Sequence, residues 1–433
     1  MTPEIEKRIK AVQAGRVPAG YKRTKVGIVP KEWGKVRFHD MFSRVVRKNK
    51  EGNTNVLTIS AQYGLINQND FFNKTVASDD KSNYYLMEKG EFAYNKSYSN
   101  GYPFGALKRL DFYDKGIVSP LYICFAASEN NQCPDFYVHY FEAGLMNKEI
   151  QAFAQEGARN HGLLNISVDD FFNSNLLNPP LSEQKKIAEI LATQDRVIEL
   201  KEKLIAEKQS QKKYLMSVLL GDDFKKPFKL NGVIIDKKKW EKKKIGDVCD
   251  NYTGLTYAPE NVSSKGVLVL RSSNIQNGKL CFDDNVYVDM EIPIRSKVKI
   301  GDILVCVRNG SRSLIGKSAI ITKEAECAAF GAFMTVLRSK NVNQLFLFYI
   351  WQSNNIQKQI KVLMGALINQ ITSFDIQHLH FSCPTLPEQK AIADVLSAAD
   401  EEISLLQKDL EQEKLKKKSL MQLLLTGLVR VNE

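Results

Sequence analysis

Two stretches of the chain repeat apolar positions in alternating steps of four and three, and neither Pro nor Gly interrupts Glu183 to Leu220 or Glu388 to Leu425. In the first, Ile187, Leu191, Ile198, Ile205, Leu215 and Leu219 hold the stripe. In the second, Ile392, Leu396, Ile403, Leu406, Leu410, Leu420 and Leu424 hold it. This is the heptad seam of a helix that packs lengthwise on another helix. Some 38 residues at 1.5 Å each would span about 57 Å, several times a normal globular helix. Pro180 and Pro387 stand at or just before the two starts, Ser182 can cap the first, and a Glu follows in each opening turn, which is how helices begin. Both seams turn polar at matching places, Lys208 and Lys212 in one, Glu413 and Lys417 in the other. The simple arrangement pairs the two helices with each other, antiparallel, and leaves those polar segments to another partner. A coiled coil between two copies of the chain is the alternative.

The remaining chain reads differently. Short β-rich runs such as Val267 to Arg271 and Gly301 to Val307 alternate with Asn, Gly and Ser turns, and helical stretches such as Gln344 to Val362 lie between them. Mixed α/β (α+β) domains follow from that pattern. The chain is moreover duplicated. Leu181 to Leu191 aligns with Leu386 to Leu396 at an offset of 205, and the match continues ungapped through Asp195/Asp400, Lys212/Lys417 and Leu220/Leu425. Upstream, Trp33-x-Lys matches Trp240-x-Lys at an offset of 207, and Gly90-Glu-Phe matches Gly301-Asp-Ile at 211. The surplus at the N-terminus resembles the end of the second copy, with Gly15 over Gly427. The expected organisation is an N-terminal segment over 1–20, globular domains over 21–180 and 223–384, and spacer helices over 181–222 and 385–433. A pseudo-two-fold closure, head to tail, would account for the displaced start.

Composition narrows the function classes. With 433 residues, 43% hydrophobic and 25% charged, the chain can bury real cores. Its longest apolar run, Leu345 to Trp351, is far too short to span a membrane, and the N-terminus has no secretory pattern, so a cytoplasmic protein without membrane contact is expected. The seven cysteines have no C-x-x-C spacing, which argues against a disulfide framework or a zinc knuckle. The net charge is +12, and Lys225 to Lys244 holds nine lysines against Asp236 and Glu241. A polyanion is the natural partner of such a chain.

Gly20 to Trp33 stands at the opening of a domain, Gly90 to Lys96 and Gly301 to Leu304 lie within domains, Pro-Leu or Pro-x-Leu followed by x-Glu-Gln-x-x-Ile-Ala stands at both domain-to-helix junctions, and Leu-Leu-Thr-Gly ends at Gly427. In these features the chain resembles the DNA-specificity subunits of type I restriction-modification systems. The resemblance implies two target-recognition domains, each reading half of a split asymmetric site in double-stranded DNA, held apart by two antiparallel helices. It further implies a non-catalytic subunit that docks two DNA adenine methyltransferase subunits and, through them, restriction and translocase subunits. S-adenosylmethionine, ATP and Mg would then belong to the partners, with no cofactor in this chain. The first copy departs from the family ending, reading Leu220-Gly-Asp-Asp-Phe224.

Arg and Asn pair bidentately with guanine and adenine edges. The candidate DNA contacts are therefore Arg308, Asn309, Arg312 and Lys317 around a Gly-flexed loop, and at the corresponding place in the first copy Lys96, Asn100, Lys108 and Arg109. Arg271, Asn274, Arg159 and Asn160 are further candidates, and Lys237 to Lys239 and Lys242 to Lys244 are read as phosphate contacts or a solvated face. Other motifs fail on spacing. Gly310 to Ser318 is one residue too long for a phosphate-cradling loop, Asn178-Pro-Pro-Leu181 lacks the aromatic of amino-methyltransferases, and His378-x-His380 lacks a third metal ligand. No catalytic and no metal site is expected. A self-sufficient methyltransferase or nuclease, and a purely structural coiled-coil scaffold, are the rival readings.

Overall fold

The computed structural model describes residues 2–60, 64–71, 80–98, 101–128, 132–156, 164–221, 226–364 and 369–431. Both apolar stripes are helical, Leu181–Leu220 and Leu386–Leu424. The chain divides into two compact units, 1–201 with 409–433, and 202–408. Each unit therefore takes the start of one long helix and the end of the other, together with one globular copy.

The two globular parts share one topology. In the first, a four-stranded antiparallel sheet runs in the order Phe42–Val45, Ile123–Ala127, Phe92–Asn95, Ala106–Arg109. In the second, the order is Cys249–Thr253, Met334–Ser339, Ile303–Cys306, Ser318–Ile320, again antiparallel. Strand for strand these are the segments the repeat aligns. The matched glycines Gly105 and Gly316 both have positive φ, +79° and +84°. A Cβ on Gly105 would lie 2.2 Å from the Asn95 carbonyl oxygen, so the turn tolerates no other residue there.

Each globular part closes on its helix in the same way. Gly34–Arg37 pairs antiparallel with Asn175–Asn178, and Glu241–Lys244 with His380–Cys383. A strand just after the Trp of the repeat thus lies beside the strand that leads into the long helix. In the first unit the core contains Trp33, Phe38, Phe125 and Tyr137 with Ile187 and Leu191 from one long helix and Met421, Leu424 and Leu425 from the end of the other. In the second, Trp351, Phe346 and Ile350 pack with Ile392, Ala393 and Leu396 and with Leu219 and Leu220. The same residues of the repeat serve both cores with the helices exchanged. Leu215 and Leu420 pack partly buried against these cores, Ile205, Ile403 and Leu410 are buried, and Ile198 and Leu406 are half-buried. The stripe is thus covered within a single chain.

The polar segments of the seam are paired within the chain. Lys417 Nζ lies 2.5 Å from Asp195 in the first unit, and Lys212 Nζ lies 2.6 Å from Asp400 in the second. These are the same pair of repeat positions. Lys208 pairs with Glu402 at 2.6 Å, Gln194 donates to Glu413 at 2.7 Å, and Lys201 pairs with Asp409. As one partner's number rises the other's falls, so the helical segments run antiparallel within each unit. The polar stretches are thus bridged by ion pairs between the two helices within each unit. The long Lys side chains reach carboxylates on the neighbouring helix.

The chain's start meets its end in the first unit. Arg8 donates to the Leu428 carbonyl at 2.9 Å, and the Tyr21 hydroxyl donates to that of Gly427 at 2.7 Å. Gly427 has φ +68°, and a Cβ there would lie 2.6 Å from Pro30 and 2.9 Å from Trp33. The Thr-Gly ending therefore has a steric cause.

Candidate nucleic-acid interface

The junction motif explains itself in atoms. Trp33 donates its indole N–H to Glu183 at 3.0 Å, and Trp240 donates to Glu388 at 3.1 Å. The neighbouring Gln184 donates to the Pro179 carbonyl and accepts from Cys133 N–H, while Gln389 donates to that of Pro384 and accepts from Asn343 N–H. The Glu-Gln pair thus fastens each long helix to the Trp strand and to a helix of the globular part. Both residues are buried, so every polar atom left unpaired there would be costly. Asn178 accepts from Gln184 at 2.8 Å, which makes Asn178-Pro-Pro-Leu181 part of this clasp. Asp195 and Asp400 are engaged a second time, by His139 at 3.8 Å and by the Tyr349 hydroxyl at 2.9 Å. Burial lowers the His139 pKa against the pull of Asp195.

In the second unit the structure brings together two candidate groups that lie apart in sequence. The turn 271–276, the loop 308–317 and the turn 331–334 surround a cavity of about 780 Å³ lined by Arg271, Ser272, Gln276, Asn309, Lys317 and Phe333, among others. Arg308 is exposed, with its guanidinium carbon 5.0 Å from the centre of the Phe333 ring. Asn309 donates to Ser272 Oγ at 3.0 Å and accepts from Ser311 N–H, fixing the loop. Lys317 Nζ reaches the Ile275 carbonyl at 3.0 Å, and burial lowers its pKa. Arg271 is held by Asp284 at 2.9 Å. Arg312 donates to the Met364 carbonyl.

Other candidates carry internal duties. Asn274 is fully buried; it accepts from Arg271 N–H and donates to the Cys281 carbonyl, so it organises the turn from inside. Lys108 is tied to Glu142 and to the Tyr102 hydroxyl, and Arg109 bridges Asp111 at 2.7 Å and Asp135 at 2.6 Å. Their charge is spent inside the first unit. Lys96 is half-buried beside the exposed Tyr98. Asn100, Arg159 and Asn160 lie outside the described residues. Lys237 donates to the Val218 and Gly221 carbonyls and caps the end of the first long helix, a role favoured at helix C-termini. Lys238, Lys239, Lys242 and Lys244 are exposed. Sequence reasoning missed Phe333 and Asp284, because neither stands in a motif.

The family profile described as Type I restriction modification DNA specificity domain matches residues 30–208 and again residues 237–415. The chain belongs to this family. Two relatives from Methanocaldococcus jannaschii are similar over most of their length. The type I restriction enzyme MjaVIII specificity subunit is 29% identical over 73% of this chain and 75% of its own, and the putative MjaX specificity subunit is 26% identical over 95% and 97%. The fold matches that of a chain solved in work on complex assembly and conformational transition of the type I R-M system, with a TM-score of 0.57 and 15% identity over 93% of this chain and 99% of that one. The S subunit of M. genitalium matches with a TM-score of 0.53 and 14% identity, over 91% and 96%. The specificity domain thus occurs twice in one chain. Among the described residues no helix is long and apolar enough to cross a membrane.

Proposed function

We propose that the chain is the DNA-reading subunit of a type I restriction-modification complex, with each unit reading one half of a split duplex site. The observation that carries this is the repeated specificity domain, built on one sheet order but carrying unlike loops: Arg308-Asn-Gly-Ser-Arg312 in one unit and Lys96-Ser-Tyr-Ser-Asn100 in the other. Like scaffolds give the two readers the same mode of approach, and unlike loops give them different bases. The site is therefore not a palindrome. Half-site centres near one helical turn, about 10 base pairs, suit two readers on one face of a duplex.

The chain itself does no chemistry in this reading. Two adenine methyltransferase subunits supply methylation from S-adenosylmethionine, and restriction subunits supply ATP- and Mg-dependent translocation and cleavage, in the cytoplasm where the DNA lies. The test is duplex binding by the assembled complex over a range of salt. Affinity should fall on a log-log plot with a slope of about −0.9 per phosphate contact. A salt-independent or absent affinity would favour a scaffold, and methylation by the purified chain alone would favour the enzyme reading.

A further inference from the structure

We propose that the basin of the second unit reads the acceptor edge of a guanine, with Arg271 as the reading side chain, Asp284 as the residue that positions it, and Phe333 as an apolar ledge at the rim. This rests on the DNA-reading function above and names which bases one of its sites prefers.

Size and lining come first. At about 780 Å³ the basin lies within the usual range of ligand sites, and the loops around its mouth are the elements that would carry side chains into a groove. Its charged groups are Arg271 and Lys317 against Asp284, with Arg308 on the rim. Asp284 is already engaged by Arg271, through its carboxylate at 2.9 Å and its carbonyl at 3.4 Å. Two cationic side chains thus face one carboxylate, and that carboxylate is already held by Arg271. Guanine alone shows two acceptors side by side in the major groove, N7 and O6, the edge that a guanidinium meets with two donors; adenine and cytosine each present an amino donor there.

Arg271 is also built to read. Its backbone N–H is fixed by the buried Asn274, whose amide is locked to the Cys281 carbonyl and to Asn285. Its Nη2 is held by Asp284 at 2.9 Å, which sets the plane of the guanidinium. A planar guanidinium held at one point loses little entropy when it makes further bonds. Phe333 is 55% exposed, an unfavourable place for an aromatic without a contact to make. Its carbonyl accepts from both Val307 and Arg308 N–H, which holds its backbone at the rim, and the Arg308 guanidinium lies 5.0 Å from the centre of its ring. A flat apolar face beside a donor-rich wall suits a base with its sugar.

The test uses the whole chain assembled with a methyltransferase partner, and maps the methylated sites by modified-base sequencing for the unaltered chain, Arg271→Ala, Asp284→Asn and Asp284→Glu. With the unaltered chain, one half-site should hold a guanine. Arg271→Ala should relax that position by about 10- to 100-fold and leave the other half-site unchanged. Asp284→Asn should give an intermediate loss that Asp284→Glu restores, an outcome that loss of fold would not produce. Should Arg271→Ala lower the thermal unfolding midpoint, the exposed Asp284 pair decides. The proposal is overturned if Arg271→Ala or Asp284→Asn leaves the motif unchanged, or if the relaxed position is not guanine. No two-part motif with the unaltered chain would instead overturn the DNA-reading function itself.

Discussion

Deleting residues 409–433, at the C-terminus, should unfold the unit that holds the N-terminus and spare the other. The reason is that Met421, Leu424 and Leu425 are buried in the same cluster as Trp33, Ile187 and Leu191. Truncating one buried Leu or Met costs about 2–5 kcal/mol, and a whole domain is stable by about 5–15 kcal/mol. Three such losses, about 6–15 kcal/mol together, are as large as the whole stability of the unit. The deletion also removes Arg430, which bonds Glu183 at 2.6 and 2.8 Å, and leaves the Trp33 clasp with a buried carboxylate short of a partner. Limited proteolysis followed by mass spectrometry checks this. A protected fragment close to 202–408 should survive while 21–180 is digested; equal protection of both would show that the exchanged helix end does not hold the first core.

Glu388→Ala should destabilise the second unit by roughly 3 kcal/mol or more, since each buried donor left unpaired costs about 1–3 kcal/mol. Four bonds converge on that carboxylate: the Trp240 indole at 3.1 Å, Asp236 N–H at 3.1 Å, and Thr385 N–H and hydroxyl at 2.9 and 2.8 Å. For a unit of this size the thermal midpoint should fall by roughly 6–12 °C. The pH dependence carries a second signature. Burial works against the charge of Glu388, but the bonds from Thr385, Trp240 and Asp236 together outweigh it and hold the carboxyl below its ordinary value of 4.5. A carboxyl with a depressed folded pKa adds stability above the unfolded value and loses it as pH falls through the folded one. Thermal unfolding from pH 6 to pH 3 should therefore show the second unit weakening more steeply in the unaltered chain than in Glu388→Gln. Parallel curves would remove the clasp from the account.

The repeat, both long helices and the mixed character of the globular parts were legible in the sequence because they are written in local periodicity and in self-similarity. The junction motif was legible as a pattern, yet its cause was not. Glu183 and Gln184 act on Trp33 and Cys133, which local spacing cannot connect to them. The pairing across the polar break was hidden for the same reason: Lys212 looks unpartnered until Asp400 is seen to face it. Candidate DNA contacts were harder still. Lys108 and Arg109 carry the right chemistry, but their charge is consumed by Glu142, Asp111 and Asp135. Arg271 and Asn309 share a cavity that no sequence window contains.

The central claim is that one chain carries two unlike readers of DNA that act together on a single site. Expressing it with an adenine methyltransferase partner in a host free of that modification, and sequencing the modified bases, tests this most directly. The account predicts one methylated motif made of two different short sequences separated by a fixed run of unspecified bases. A single continuous motif, or two identical inverted halves, would contradict it.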